Sequence, residues 1–287
     1  MTSFNIEPQN CALHTEKKDR LKKSVSQLAC VPETDIIKMT GEIEFHSDRL
    51  PWKISYGEYQ SGHWKTVSLM NPCGDMSQNE IYDGTGRATE ILGLLPATRK
   101  FVESLNLNVM WLRIAKLGSN SYLWEHVDYR ELNNSRRLRL HLPLVSDFGA
   151  FFSFPEFNVH LKRGFLWKLD PTHRHGAANV GLRERIHLLF DCYFDEKLEH
   201  LIKNEWLDSE VLFEKGPPEL RDADRDKLLQ LGHSRIVVDQ LLKSFHLYDL
   251  GGKSSYDLLV EYFRRDPLLS QHWSEKRELY IGKGVKE

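Results

Sequence analysis

The chain has 287 residues, 40% of them hydrophobic and 28% charged, with a formal net charge of −2 at pH 7. This is an ordinary globular composition, long enough for one large domain with appendages or for two domains. The near-neutral balance speaks against a nucleic-acid partner, and the lack of any apolar run of about 18 residues speaks against a membrane span.

The four cysteines, Cys11, Cys30, Cys73 and Cys192, are scattered with no C-x-x-C pair. A zinc ribbon is therefore not expected, nor a disulfide framework at this size. The N-terminus has no apolar signal-like stretch, so the expected localisation is cytoplasmic.

In chain order, the first forty residues are polar, with a short amphipathic helical segment around Asp19–Ala29. Residues Trp52–Tyr59 and Trp64–Leu69 alternate aromatic or β-branched with polar side chains and predict a hairpin or short strands. Asn71–Asp75 reads as a turn. Asp83-Gly-Thr-Gly-Arg87 lacks the third glycine and the Lys-Ser/Thr of a phosphate loop. A helix is expected over Ala97–Ser104, after Pro96. From Asn108 to Tyr193 strand-like segments follow one another: Val109–Lys116, Ser121–Tyr129, Arg137–Val145, Phe157–Lys162, Gly164–Leu169 and Arg185–Tyr193. Short turns separate them, which predicts a sandwich or barrel. Beyond Phe194 the spacing becomes helical over Asp195–Trp206, Glu219–Leu231, Ser234–Tyr248 and Ser254–Arg265, with Gly216-Pro217-Pro218 as a linker. The expected division is a β unit over 1–205 and a C-terminal helical domain over 206–287.

The chemistry concentrates in His126-Val127-Asp128, followed at a distance by His175 and, ten residues later, by Arg185. In a strand, residues i and i+2 share a side, so His126 and Asp128 converge. Two imidazoles and a carboxylate cover one face of an octahedral iron(II) ion and leave positions open for a cosubstrate and dioxygen. His173 also stands in the Asp170–Gly176 segment. His175 is preferred because of its offset from Arg185 and the adjoining Gly176, and His173 is expected either to support the ligands from behind or to stand at the entrance.

Strand Arg137–Val145 places leucines on one face and Arg137, Arg139 and His141 on the other, and Arg185 and His187 share a face in the same way. A solvated polar face is the alternative for either strand alone. Two such faces beside the triad favour an interior that binds a dicarboxylate, for which a guanidinium gives a bidentate, charge-assisted partner.

These residues resemble the aspartyl/asparaginyl β-hydroxylase-like Fe(II)/2-oxoglutarate-dependent oxygenases, and within them the bacterial free L-proline cis-hydroxylases. The resemblance runs from about residue 50 to the end of the chain. It is carried by His126-Val-Asp-Tyr-Arg-Glu-Leu132, Gly164-Phe-Leu-Trp-Lys-Leu-Asp170, the aromatic segment Tyr56–Lys65 and the turn at Leu69–Asp75. It implies a mainly β fold with α elements, a double-stranded β-helix (jelly-roll, cupin-like) core followed by a helical domain. It further implies iron ligands His126, Asp128 and His175, and Arg185 on the C5 carboxylate of 2-oxoglutarate. Arg139 and His141 would face the cosubstrate and substrate carboxylates, and Arg113 matches a family arginine on the preceding strand. Trp124-Glu125 before His126 and Lys168 in the distal strand depart from the proline hydroxylases, which leaves lysine or another amino acid open as substrate.

The expected activity is hydroxylation of an unactivated C–H bond of a free L-amino acid, using Fe(II), 2-oxoglutarate and O2, with succinate and CO2 as co-products. An intact Asp128 favours hydroxylation over halogenation, and ascorbate is expected to stimulate turnover. A small-molecule amino acid is the expected partner, with no nucleic acid or membrane, and a homodimer is compatible. The competing readings are a hydroxylase of a peptide, protein or carrier-bound residue, a jelly-roll metal hydrolase, and a non-catalytic cupin-like metal-binding module.

Overall fold

The structure, a computed structural model, describes residues 11–54, 63–119, 121–129, 132, 135–147, 149–155, 157–179 and 183–214, with scattered helical positions between 260 and 278. Helix α1 (Cys11–Ser24) runs directly into strand β1 (Val25–Cys30), and helix α2 (Glu33–Phe45) follows. Next come β2 (Lys53–Ile54), β3 (Trp64–Asn71), β4 (Arg87–Ala88) and helices α3 (Glu90–Gly93) and α4 (Pro96–Leu105). Eight strands then succeed one another: β5 (Val109–Leu117), β6 (Ser121–His126), β7 (Arg137–Val145), β8 (Ala150–Ser153), β9 (Phe157–Val159), β10 (Phe165–Leu169), β11 (His175–Asn179) and β12 (Arg185–Tyr193). Helix α5 (Glu196–Ile202) and β13 (Leu212–Glu214) come after them.

One antiparallel sheet has the order β1-β10-β7-β12-β5-β3-β2, with β4 beside β3, and the other the order β13-β9-β8-β11-β6. Of the eight consecutive strands, the first, third, sixth and eighth lie in one sheet and the second, fourth, fifth and seventh in the other. That connectivity is a jelly roll, so the mainly β expectation holds.

Strands β7 and β12 occupy the middle of the larger sheet and are buried on both faces. Their Leu138, Leu140, Leu142, Leu188 and Phe190 join a core with Ile36, Met39 and Ile43 of α2 and Val102 of α4. A second cluster, with Leu117, Leu123, Phe152, Trp167, Ala177 and Leu189, lies between the sheets. The polar faces of β7 and β12 therefore point into the barrel, because α2 and α4 cover the opposite side.

Several local expectations change. The helix expected through Ala29 stops at Ser24, because Val25–Cys30 pairs with β10, where Val25 stands opposite Leu169; an available sheet edge overrides helical spacing. Helix α2 was not expected: Ile36, Met39 and Ile43 keep helical spacing, but polar residues and Gly41 dilute it. Strands β8 and β11 were not expected either, being four and five residues long. The His-Gly-Ala-Ala-Asn sequence of β11 also has no β-branched residue. The strand expected over Phe157–Lys162 is confined to Phe157–Val159.

The Asp83–Arg87 segment is a structural clip. Asp83 accepts from the Arg137 guanidinium, and the Gly84 N–H donates to the Tyr193 hydroxyl at 2.8 Å. Gly86 packs so closely on the β5 backbone that a Cβ would lie 2.7 Å from the Val109 carbonyl oxygen. The helix expected after Pro96 forms as α4, and the one expected after Phe194 forms as α5, where Asp195 caps the Leu198 N–H at 3.0 Å. The helical segments expected over 219–265, and residues 55–62 of the aromatic segment, lie outside the described residues apart from position 260, which is helical.

Candidate active site

His126 closes β6 and His175 opens β11, and a slip in the ladder between these strands brings them together. Ala177, Ala178 and Asn179 pair with Leu123, Tyr122 and Ser121, but His175 pairs with His126, one residue out of that register. A one-residue slip exchanges the faces of a strand. In unbroken register His126 would stand on the face opposite to His175; with the slip the two rings face each other, centroids 4.6 Å apart. Asp128 lies just past the strand, which ends at His126 rather than at the expected Tyr129. Its Oδ1 is 3.5 Å from His126 Nε2, and one ligand atom from each of the three residues lies within 4.8 Å of the others.

A single loop supports two of the three. The Asp128 N–H donates to the Pro171 carbonyl at 2.8 Å, and His175 Nδ1 lies 2.8 Å from the His173 carbonyl. That contact makes Nδ1 the protonated nitrogen and leaves Nε2 as the lone-pair donor. Asp170 stiffens the loop by accepting from the Thr172 N–H at 3.0 Å and its hydroxyl at 2.6 Å. The loop is tied to the end of α1, where the Ser24 carbonyl accepts the Asp170 N–H at 2.7 Å and the Ser24 hydroxyl lies 3.1 Å from His173 Nδ1. His173 thus contributes its carbonyl, while its side chain is half exposed at the rim.

On the inner face of the larger sheet, Arg139 donates through Nη1 to Asp128 Oδ2 and through Nε to Asp191 Oδ1, the latter at 2.7 Å. Asp191 is fully buried and also accepts from the Tyr129 hydroxyl and, at 3.3 Å, from Arg113 Nη2. Burial opposes ionisation of Asp128, but the charges facing it, the Arg139 guanidinium first, outweigh it and hold the carboxyl well below its usual range. Burial, with His126 beside it, pushes His175 down to about 3. The site therefore offers a carboxylate and a neutral imidazole at neutral pH, the protonation states a metal requires.

Arg185, at the start of β12, is 1% exposed, yet its Nε, Nη1 and Nη2 have no hydrogen-bond partner among the described residues. Its guanidinium sits 5.0 Å from the Phe152 ring and 5.8 Å from that of Trp64. Burial pushes its pKa down to about 9. Phe152 in turn lies 6.5 Å from the His175 ring and 4.9 Å from His141. His141 and His187 approach through their Nδ1 atoms at 3.3 Å, and both Nε2 atoms lack hydrogen-bond partners among the described residues. Burial, with the neighbouring cations, pushes both imidazoles well below their ordinary range. An unpaired buried cation beside buried imidazole nitrogens is the lining expected around an anionic, multidentate ligand.

The donor set of His126, Asp128 and His175 fits iron(II), and the buried Arg185 guanidinium suits a carboxylate partner. His126, Asp128, His175, Arg185, Arg139 and His141 all lie inside or at the edge of one barrel. Missed were Asp191 and the Pro171 and His173 carbonyls. Asp191 was detectable in part, since it continues the i, i+2 alternation of Arg185 and His187 along β12. The backbone carbonyls carry no residue-type signal.

Fold and site together define a class: a jelly roll with the His-Asp-His group that non-haem iron oxygenases use. The aspartyl/asparaginyl β-hydroxylase family model matches residues 39–205, and the chain belongs to that family. It is 25% identical over 268 residues to an L-proline cis-4-hydroxylase of Rhizobium meliloti (strain 1021), covering 84% of this chain and 94% of that one. It is 26% identical to an L-proline cis-3-hydroxylase 2 of Streptomyces sp, over 72% of this chain and 77% of the relative. Among solved structures, a Pseudomonas putida prolyl-4-hydroxylase aligns with 62% of this chain and 97% of its own, at 16% identity and a TM-score of 0.39.

Proposed function

We propose that this chain is an Fe(II)- and 2-oxoglutarate-dependent dioxygenase that hydroxylates an unactivated C–H bond of a free L-amino acid. The observation that carries the reading is the buried Arg185 guanidinium, without a hydrogen-bond partner among the described residues and across the Phe152 ring from the His126/Asp128/His175 group. A metal-binding module or a hydrolase has no use for that cation, whereas a dicarboxylate cosubstrate supplies its counter-charge. The L-proline hydroxylases among its relatives support a free amino acid as substrate.

His126, Asp128 and His175 would hold the iron, which when bound supplies the oxygen chemistry that couples conversion of 2-oxoglutarate to succinate and CO2 with substrate hydroxylation. Arg185 would hold the far carboxylate of 2-oxoglutarate. His141 and His187 lie beside it, and because one of the paired Nδ1 atoms donates to the other, one Nε2 is a donor and the other an acceptor. Arg139 is engaged with Asp128 and Asp191, whereas Arg113 keeps Nε and Nη1 without hydrogen-bond partners among the described residues, stacked 3.8 Å from the Trp111 ring. Arg113 is therefore the cation available for the substrate carboxylate, and Arg139 acts beside it. Cytoplasmic localisation, stimulation by ascorbate and a homodimeric state belong to the same reading. No helix among the described residues is long and apolar enough to cross a membrane.

The test is aerobic incubation of the protein with Fe(II), ascorbate and 2-oxoglutarate against the L-amino acids, followed by mass spectrometry. A product one oxygen heavier, with matching succinate, that disappears in His175→Ala and Arg185→Ala is the expected result. Succinate without any oxidised amino acid would move the substrate to a peptide, protein or carrier-bound residue. Iron binding with no consumption of 2-oxoglutarate would leave only a metal-binding module.

A further inference from the structure

We propose that Asp191 is a positioning residue for the metal ligand Asp128, acting through the Arg139 guanidinium and the Tyr129 hydroxyl. The inference rests on the reading of His126, Asp128 and His175 as a metal site and adds what holds its carboxylate in place.

Asp191 lies on the same face of β12 as Arg185 and His187, deep in the barrel with no solvent exposure. Its Oδ1 receives Arg139 Nε at 2.7 Å and the Tyr129 hydroxyl, and its Oδ2 receives Arg113 Nη2 at 3.3 Å. A guanidinium is planar and rigid, so fixing Nε on Asp191 fixes the direction in which Nη1 points. That direction ends on Asp128 Oδ2. The other oxygen, Oδ1, is the one turned to His126 Nε2 at 3.5 Å. The two oxygens of Asp128 are thus divided: Arg139 takes one, and the other remains for a metal. The carboxylate would bind through a single oxygen and would not rotate into a bidentate mode.

The second route is the backbone. Tyr129 follows Asp128 directly and has φ +67°, the left-handed region that a non-glycine residue rarely occupies. Such a conformation persists when its surroundings over-determine it. Here the ring is buried and its hydroxyl is bound to Asp191. Asp128 is held at its own N–H by Pro171, at Oδ2 by Arg139, and through the next residue by Tyr129. Two of these three restraints converge on Asp191.

The test is titration of the purified full chain with Co(II), read by calorimetry for affinity and by the visible ligand-field spectrum for coordination geometry. Asp191→Asn keeps the shape of the side chain and one acceptor oxygen. It is expected to weaken Co(II) binding by roughly 10–100-fold, the usual cost of losing a group that orients a metal ligand, and to change the spectrum. Tyr129→Phe should shift both readouts in the same direction and less. A folding defect alone would lower the bound stoichiometry and leave the affinity and spectrum of the folded fraction unchanged. If Asp191→Asn does not fold, Tyr129→Phe decides the matter, because it leaves every charge in place. Wild-type affinity and spectrum in the soluble variants would overturn the role of Asp191 while leaving the metal site standing. No Co(II) binding by the wild-type chain would overturn the metal site and this inference together.

Discussion

Arg185 stabilises a complex at the expense of the ligand-free protein. A buried guanidinium without a counter-charge costs several kcal/mol even after relaxation, and here all three of its nitrogens lack a hydrogen-bond partner among the described residues. Arg185→Gln removes the charge and keeps a polar planar end. The ligand-free variant should therefore be more stable than the wild type, by about 1–4 kcal/mol. 2-Oxoglutarate at a hundred times its dissociation constant should stabilise the wild type by about 2.7 kcal/mol and the variant hardly at all. Thermal denaturation with and without 2-oxoglutarate and metal measures both effects. A variant that is destabilised without ligand yet still stabilised by 2-oxoglutarate would remove Arg185 from the cosubstrate site.

At the level of elements, the helical layer on the outer side of the larger sheet depends on a cap that comes from a different helix. Helix α4 starts after Leu95, which has no side-chain acceptor, and Pro96 at its first turn removes one donor. Glu42 of α2 fills the gap: its carboxylate accepts from the Ala97 N–H at 2.5 Å, the Thr98 N–H at 3.0 Å and the Thr98 hydroxyl at 3.0 Å. A carboxylate there also meets the positive end of the helix dipole. Glu42→Ala should cost about 1–2 kcal/mol in urea denaturation, with the metal affinity of the folded protein unchanged, because α2 and α4 cover the sheet face opposite to the site. A Glu42→Ala protein as stable as the wild type would show that water replaces the cap.

Across the whole molecule, one barrel interior gathers imidazoles that fold in their neutral form, and this sets the response to acid. His141 and His187 are held well below their ordinary pKa, and His175 is pushed down to about 3, in each case chiefly by burial. In the unfolded chain the same groups titrate near 6.5. Below that pH the unfolded state takes up protons that the folded state refuses, so stability is full above about pH 6.5 and falls as the pH drops. Each histidine should contribute about 1.4 kcal/mol per pH unit in that window. Ligand-free protein denatured with urea between pH 7.5 and 5.5 should show the slope steepen toward this limit, and His187→Asn should lower the slope near pH 5.5 by about one proton. An identical slope in wild type and variant would mean that His187 is not held neutral by the fold.

Much of this molecule can be read from local pattern. Alternation placed the leucines of Arg137–Val145 on one face and Arg139 and His141 on the other, and the spacing of His126, Asp128, His175 and Arg185 pointed to iron(II) and a dicarboxylate. These features are legible because strand periodicity and ligand spacing are properties of a few neighbouring residues. Helix α2, β8 and β11 were not legible, since their local signals are weak and packing on the sheets makes them regular. Nor could any local pattern show that the β6–β11 ladder slips by one residue, although that slip turns His126 and His175 toward each other. The commitment of Arg139 to Asp128 and Asp191, and the burial of Arg185 without a hydrogen-bond partner among the described residues, have the same origin. Register and charge pairing are set by strands far apart in the chain, and only the closed barrel brings those strands into contact.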